Sequence, residues 1–225
     1  MSAGALQRAS TVDQLAAVLR ERILAGDLEP GQRLIERELV ETYEVARHTL
    51  RSALRRLEGE GLVRVEPNRG ARVAELSGDE LSELFKLRLA LEREAAHLAL
   101  ERGDGRLPAA VHEAAQRLQR ISQRRRSTWS EISRAHHAVH AGLVAAGQAP
   151  RIERAYAALS TEIALFVSQL KPVWTKEQVG ADHVALVRAI EREGPDVLRE
   201  HMAQALRALQ RDAQERGPRA PRPGA

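Results

Sequence analysis

Ala46-Arg47-His48-Thr49-Leu50-Arg51 is the stretch from which the architecture can be worked out. A helix that reads DNA carries its hydrogen-bonding side chains near the N-terminal end, because that end enters the major groove. Arg can bond two acceptors on guanine, and Thr and His can reach bases or phosphates. Here Leu50 points inward and polar residues flank it. The charge around this stretch agrees. From Arg47 to Arg72 there are seven Arg (47, 51, 55, 56, 64, 69 and 72) against Glu58, Glu60 and Glu66. Residues 1–77 as a whole balance 12 Arg with 12 Asp and Glu, so the positive footprint is local.

The segments on either side fit the same architecture. The pattern predicts a helix over Ala46–Glu60 whose core side is Leu50, Leu54 and Leu57, closed by Gly59 and Gly61. Upstream, a helix is expected over Val12–Ala25. Thr11 and Gln14 form its capping box, Leu15, Leu19 and Ile23 its apolar stripe, and Gly26 its C-terminal cap. Pro30-Gly31 reads as a turn, and Glu36–Thr42 as a short helix with Leu39 and Val40 inward. Downstream, Leu62–Val65 reads as a strand, Glu66–Gly70 as a turn and Ala71–Val73 as the return strand. Three helices and a β-hairpin make a winged helix-turn-helix over residues 1–76. Arg37, on the helix before the reading helix, is positioned to touch a phosphate, and Arg69-Gly70 at the wing tip can approach the backbone or minor groove.

At Ser77 the pattern changes. Ser77 and Glu80 form a capping box that opens a helix to Arg102, and further helices are expected over Pro108–Gln123, Trp129–Ala146, Pro150–Leu170, Thr175–Glu193 and Pro195–Arg216. The expected fold is therefore mainly α, a winged helix-turn-helix followed by an all-α six-helix bundle over 77–216. The Pro/Gly/Arg stretch 217–225 reads as a disordered tail. Hydrophobic residues are 43% of the chain and aromatics only 3%, so Leu, Ala, Val and Ile must fill the cores. With no cysteine, disulfides, thiolate metal sites and cysteine nucleophiles are excluded. Met1–Ser10 lacks the apolar core of a signal peptide, and no apolar stretch reaches membrane-spanning length. A cytoplasmic protein without membrane contact is expected.

The bundle carries polar residues on its inward faces. Leu81, Leu84, Arg88, Leu91, Ala95 and Leu98 recur at helical spacing, so Arg88 stands inside an apolar stripe. An unpaired charge there is costly; it must pair internally or meet an anionic ligand. His136 and His140 are one turn apart on one face, the spacing metal chelation requires. His137 falls off that face and is expected to be exposed. His183 lies among Val179, Leu186 and Ile190, and His201 follows Leu198. A single interior His is more often a hydrogen-bonded core residue than a ligand, but four can converge here from three helices. Neutral imidazoles suit a divalent metal such as Zn²⁺ or Ni²⁺ rather than Mg²⁺ or Ca²⁺.

Gly-Asp-Leu-Glu-Pro-Gly-Gln-Arg-Leu from Gly26, Arg-His-Thr-Leu-Arg-Ser-Ala-Leu-Arg-Arg-Leu-Glu from Arg47, Glu-Gly-Leu-Val from Glu60 and Asn-Arg-Gly-Ala-Arg-Val from Asn68 together resemble the GntR family of bacterial regulators. The resemblance implies that Arg37, Arg47, His48, Thr49, Arg51 and Gly70 lie at the DNA. Ala46 stands where the family usually has Ser, Ser52 where it commonly has Glu, and Glu44 where the turn often has Gly. In the bundle, Leu-Arg-Leu-Ala-Leu-Glu at 87–92, the run from His140 to Pro150-Arg151-Ile152, Asp182-His183 followed by Ala189-Ile190, and Arg-Glu-His-Met at 199–202 resemble the FadR-type effector domain, FCD. That resemblance implies histidine ligands at His140, His183 and His201, with His136 at the usual Asp or Asn position. Counted without a gap, the last ligand position falls on Ala205; a gap at Glu193-Gly194-Pro195 restores His201.

The resemblance further implies a homodimer on a double-stranded DNA operator. Its effector would be a small carboxylate that completes the metal shell, with Arg88 lining the pocket. The chain then reads as a regulator rather than an enzyme. The alternatives are a FadR-like regulator that answers acyl-CoA without metal, a metallohydrolase built on the bundle, and a purely architectural DNA binder.

Overall fold

The computed structural model describes residues 10–66, 69–170 and 173–216, without the side chains of 212–216. The tail expected over 217–225 and the Pro67-Asn68 part of the wing turn lie outside these residues. The chain divides into two compact units between Glu75 and Leu76. Each is described by itself.

In the first unit, α1 (Thr11–Leu24) packs mainly on α3 (Arg47–Gly59), and α2 (Glu36–Tyr43) lies between them in sequence. Leu15, Leu19 and Ile23 from α1 meet Leu50, Leu54 and Leu57 from α3, all nearly or fully buried. The capping box of α1 uses Ser10 and Asp13 rather than Thr11 and Gln14. Asp13 wins because its carboxylate answers both the backbone N–H of Ser10 and the positive helix end. A bidentate pair, Arg20 Nε and Nη2 to Glu60 at 2.7 and 2.6 Å, ties α1 to the end of α3. Glu44, which ends α2, has φ 51° and ψ 42°, the left-handed conformation that glycine adopts at little cost.

The hairpin strands are β2 (Val63–Glu66) and β3 (Gly70–Val73). They are joined by a third strand that no sequence pattern announces, β1 (Arg33–Leu34), in the antiparallel order β1-β3-β2. Two residues are too few to carry an alternating pattern. The pairing aligns Leu34 with Ala71, both buried, and sets Arg33, Arg72 and Arg64 in one exposed row across the three strands.

Among the described residues of the second unit the regular elements are all helices: α4 (Gly78–Arg102), α5 (Ala109–Ser122), α6 (Trp129–Ala146), α7 (Pro150–Ala157), α8 (Ser160–Leu170), α9 (Lys176–Glu193) and α10 (Val197–Arg216). Seven helices stand where six were expected, because the helix predicted over Pro150–Leu170 breaks after Ala157. The Leu159 N–H bonds the Tyr156 carbonyl three residues back, and the Ser160 hydroxyl donates to the Ala157 carbonyl, so the turn tightens and the axis restarts. Capping boxes at Ser77, Thr128 and Thr175 open α4, α6 and α9. Helix α5 packs on α6 and α9, and α4 on α6 and α10. The α5–α9 approach depends on Gly180: a Cβ there would lie 2.2 Å from Ser122 Oγ and 2.9 Å from the Gln119 Cα.

Candidate functional site: an exposed basic face and a buried histidine centre

The first unit carries its charge outside. Arg37, Arg47, His48, Arg51, Arg69 and Gly70 are all exposed. Thr49 is 9% exposed, with its hydroxyl 3.4 Å from His48 Nε2. Ala46 is the N-cap of α3 and makes no side-chain cap, so the backbone N–H groups of the first turn gain no side-chain partner from it. Arg51 is not idle: its Nε donates to both Glu36 oxygens at 3.1 Å, across from α3 to α2. Arg69 lies 3.9 Å from Glu66. The row Arg33–Arg72–Arg64 was missed by the sequence reading because it exists only through the pairing of β1. Like charges directly opposite one another are destabilising in a sheet, so the row marks a surface suited to anions.

The second unit carries its charge inside. On α4 the buried face runs through Leu81, Leu84, Phe85, Arg88, Glu92, Ala95, Ala96 and Ala99. It passes through Glu92 and Ala99, where the sequence stripe had been drawn through Leu91 and Leu98. Arg88, 2% exposed, pairs with Glu92, which is fully buried; both Arg88 Nε and Nη2 lie 3.0 Å from Glu92 Oε1. The internal partner allowed for Arg88 is thus one turn along its own helix, a spacing already present in the sequence. The other Glu92 oxygen lies 2.7 Å from His140 Nδ1. Burial by itself would raise the Glu92 pKa, but the Arg88 guanidinium and then His140 outweigh it and hold the carboxyl at about 2.

Three helices supply the histidines: His136 and His140 from α6, His183 from α9 and His201 from α10. The ligand atoms of His136, His140 and His183, all buried, lie within 4.8 Å of one another. His201 stands beside this trio, its ring centre 4.9 Å from His183 and 5.8 Å from His140. His137 is only half exposed, because it stacks on Tyr156 with ring centres 6.2 Å apart. Tyr156 was not singled out in the sequence. Its hydroxyl is buried without a well-formed hydrogen bond, and burial followed by the Glu92 charge raises its pKa.

Hydrogen bonding fixes how the imidazoles present themselves. His183 Nδ1 lies 2.7 Å from the Val179 carbonyl, which can only accept, so that nitrogen carries the proton. His140 Nδ1 likewise donates to the Glu92 carboxylate. In the neutral rings both Nε2 atoms keep their lone pairs, and they face each other at 3.0 Å. Two acceptors hold that distance only with a proton or a cation to share. Burial, then the neighbouring His140 imidazole, pushes the His183 pKa down to about 3, so His183 does not take up a second proton. His136 is lowered well below its usual value, by burial first and then by His183 and His140, and its Nδ1 is buried with no partner. Imidazole nitrogens bound at about 2.0–2.1 Å to a tetrahedral metal stand roughly 3.3 Å apart. An orphaned buried nitrogen next to two converging Nε2 atoms fits a divalent cation with an affinity for nitrogen. The carboxylate and carbonyl behind the rings are the supports such ligands use.

Next to the trio is a cavity whose lining combines Arg88, His136, His183 and His201 with Phe85, Phe166, Leu170, Trp174 and Met202 among others. No helix among the described residues is long and apolar enough to cross a membrane.

A winged helix-turn-helix with an exposed basic α3, followed by a helical bundle with a buried polar centre, defines a two-domain class of DNA-binding regulator. Residues 11–73 match the family model for bacterial regulatory proteins of the gntR family, and residues 83–208, more than half of the chain, match that for the FCD domain. The chain belongs to the GntR family and carries an FCD domain.

Among similar proteins, the HTH-type transcriptional regulator YdhC of Bacillus subtilis is 31% identical over 86 residues, 38% of each chain. The gluconate operon transcriptional repressor of Bacillus licheniformis is 39% identical over 87 residues, 39% of this chain and 35% of its own. The HTH-type transcriptional repressor GlaR of Escherichia coli is 31% identical over 132 residues, 56% of this chain and 59% of its own. The chain thus spans 35% to 59% of the length of these relatives. In solved structures, a GntR transcriptional regulator from Rhodococcus sp. RHA1 superposes with a TM-score of 0.65 at 22% identity, covering 90% of this chain and 98% of its own. McbR/YncC of E. coli does so with a TM-score of 0.63 at 22% identity, with the same coverage. At that identity the likeness is one of fold.

Proposed function

We propose that the chain is a cytoplasmic, dimeric transcription regulator of the FadR type, a non-enzymatic protein whose helical domain senses a small carboxylate at a metal site. In this reading Arg37, Arg47, His48, Thr49, Arg51, Arg69 and Gly70 contact double-stranded operator DNA, and the exposed row Arg33–Arg72–Arg64 adds phosphate contacts. Two copies pair because two heads read paired half-sites. Arg51 exchanges Glu36 for DNA on binding. That exchange costs little, since the pair is exposed.

The observation that carries the sensing half is the 3.0 Å approach of two Nε2 atoms whose outer nitrogens are both committed as donors. His136, His140 and His183 would hold a Zn²⁺ or Ni²⁺ ion, with His201 at its side. When bound, the ion supplies a Lewis-acidic point that a carboxylate can complete. Glu92 orients His140, Val179 orients His183, and Arg88 neutralises Glu92, so the chain's own carboxylate remains behind the rings. Glu92 is for that reason a poor general base, which disfavours a metallohydrolase. The narrow cavity disfavours an acyl-CoA.

Ligand binding and DNA binding are then linked through helix packing in the bundle, by the differential affinity of the ligand for the two states. A gel-shift assay on the DNA upstream of the gene, in Zn²⁺ and in chelator, tests this. The expected result is DNA affinity that responds to organic acids only with metal present, a response lost in His140→Ala and His183→Ala. Acid-responsive DNA binding that persists in those variants would refute it.

A further inference from the structure

The cavity beside the histidines constrains what can complete the site, on the reading that a divalent cation is held there. Charge comes first. Three neutral imidazoles bring no negative charge to the ion, and Glu92 is already matched by Arg88 at 3.0 Å. The ion's charge must be balanced by an anion from outside, in an interior where unbalanced charge is costly.

The body of that anion meets different chemistry. Beyond Arg88 and the imidazoles the wall is made by Phe85, Phe166, Leu170, Trp174, Met202 and small aliphatic residues. Among the described residues, no lining side chain carries a hydroxyl, an amide or a carboxylate. Phe85 and Phe166 meet edge to face with ring centres 4.9 Å apart. The Arg88 guanidinium carbon lies 5.8 and 5.9 Å from those two centres, so its remaining surface faces aromatic rings. A ligand hydroxyl beyond reach of the nitrogens of Arg88, Trp174 and the imidazoles gives up water and gains no partner, at a cost of roughly tenfold in affinity per group. The cavity is also narrow. Met202, unbranched and adaptable, and the half-buried Trp174 are the side chains that can yield to widen it.

We propose that the ligand completing this site is a compact monocarboxylic acid with an apolar body, branched aliphatic or simple aromatic, rather than a polyhydroxylated sugar acid. The carboxylate meets the cation and the body rests between the two phenylalanines and Trp174. The chain would then differ in ligand from a regulator that answers a sugar acid.

The test uses the full-length protein loaded with one equivalent of Zn²⁺, titrated in turn with isobutyrate, benzoate and gluconate. Thermal shift is read on the unmodified chain, and Trp174 fluorescence in a Trp129→Phe background. The expected result is that isobutyrate or benzoate binds at least tenfold more tightly than gluconate and perturbs Trp174, and that Leu170→Asn narrows the gap. Gluconate binding as tightly as the apolar acids, or no acid binding to the Zn²⁺-loaded protein, overturns the ligand class. Calorimetry of Zn²⁺ alone separates the two failures: if Zn²⁺ does not bind, the metal reading falls and this inference with it. If Zn²⁺ binds and gluconate is preferred, only the ligand class falls.

Discussion

Arg51–Glu36 in the winged helix and Arg88–Glu92 in the bundle are both arginine–glutamate pairs, with closest contacts of 3.1 and 3.0 Å. Their surroundings are opposite. The first pair is 58% and 33% exposed, the second 2% and 0%. An exposed pair is worth at most about 1 kcal/mol and can be traded for another partner. A buried pair cannot be broken without leaving a charge stranded in apolar surroundings, at about 3–5 kcal/mol. The same two residue types thus make a surface pair whose arginine can be traded to another partner and a core that keeps its arginine in place.

The sharpest way to break this comparison is on the outside. Arg47→Glu with Arg51→Glu is expected to abolish operator binding in a gel shift while the melting temperature stays within about 2 °C of the parent, since exposed charges contribute little to stability. Retained salt-sensitive binding would contradict the DNA-facing assignment of α3. Next comes the inside. Glu92→Ala should lower the stability of the bundle by about 3–5 kcal/mol, against less than about 1 kcal/mol for Glu36→Ala in the winged helix. Both tryptophans, Trp129 and Trp174, belong to the second unit, so urea unfolding followed by their fluorescence reports on the bundle, and circular dichroism covers the rest.

Acid should separate the two regions as well. His136 and His183 have folded pKa values below the unfolded 6.5, that of His183 about 3, so the unfolded bundle binds more protons as pH falls. Their contribution is complete above pH 6.5 and is lost as pH falls toward 3; between pH 7.5 and 5.5 the loss is about 1 kcal/mol per imidazole. Glu92, depressed from 4.5 to about 2, extends the loss below pH 4.5. Urea midpoints of chelator-treated protein at the two pH values would measure this, and an unchanged bundle midpoint would contradict the buried, neutral imidazoles. The smallest expected effects are gains in the winged helix: Ala46→Ser, which restores a cap to α3, and Glu44→Gly, which relieves a left-handed residue, each about 0.5–1 kcal/mol by thermal melts.

The same contrast explains what could be read in the sequence. Helix α3 was legible because its polar residues flank a clean Leu50–Leu54–Leu57 stripe. The four histidines were legible because α6, α9 and α10 place them on apolar faces. Glu92 escaped because a long helix drifts against any fixed spacing, and a stripe drawn through Leu91 points one residue away from it. The break between α7 and α8 depends on local hydrogen bonding at Ala157–Ser160, where no glycine or proline gives a signal. Likewise the Arg33–Arg72–Arg64 row depends on strand pairing, which periodicity does not reveal for two residues. The commitment of His140 and His183 through their Nδ1 atoms was beyond any pattern, since it rests on which acceptors the folded chain places behind each ring.

Metal content of the purified protein tests the buried centre most directly. After dialysis against Zn²⁺ or Ni²⁺ and removal of free ion, elemental analysis should find about one ion per chain in the parent and in His97→Ala, which alters an exposed histidine. It should find almost none in His140→Ala or His183→Ala. Metal-free parent protein under these conditions, or equal metal in the His183→Ala variant, would contradict the account.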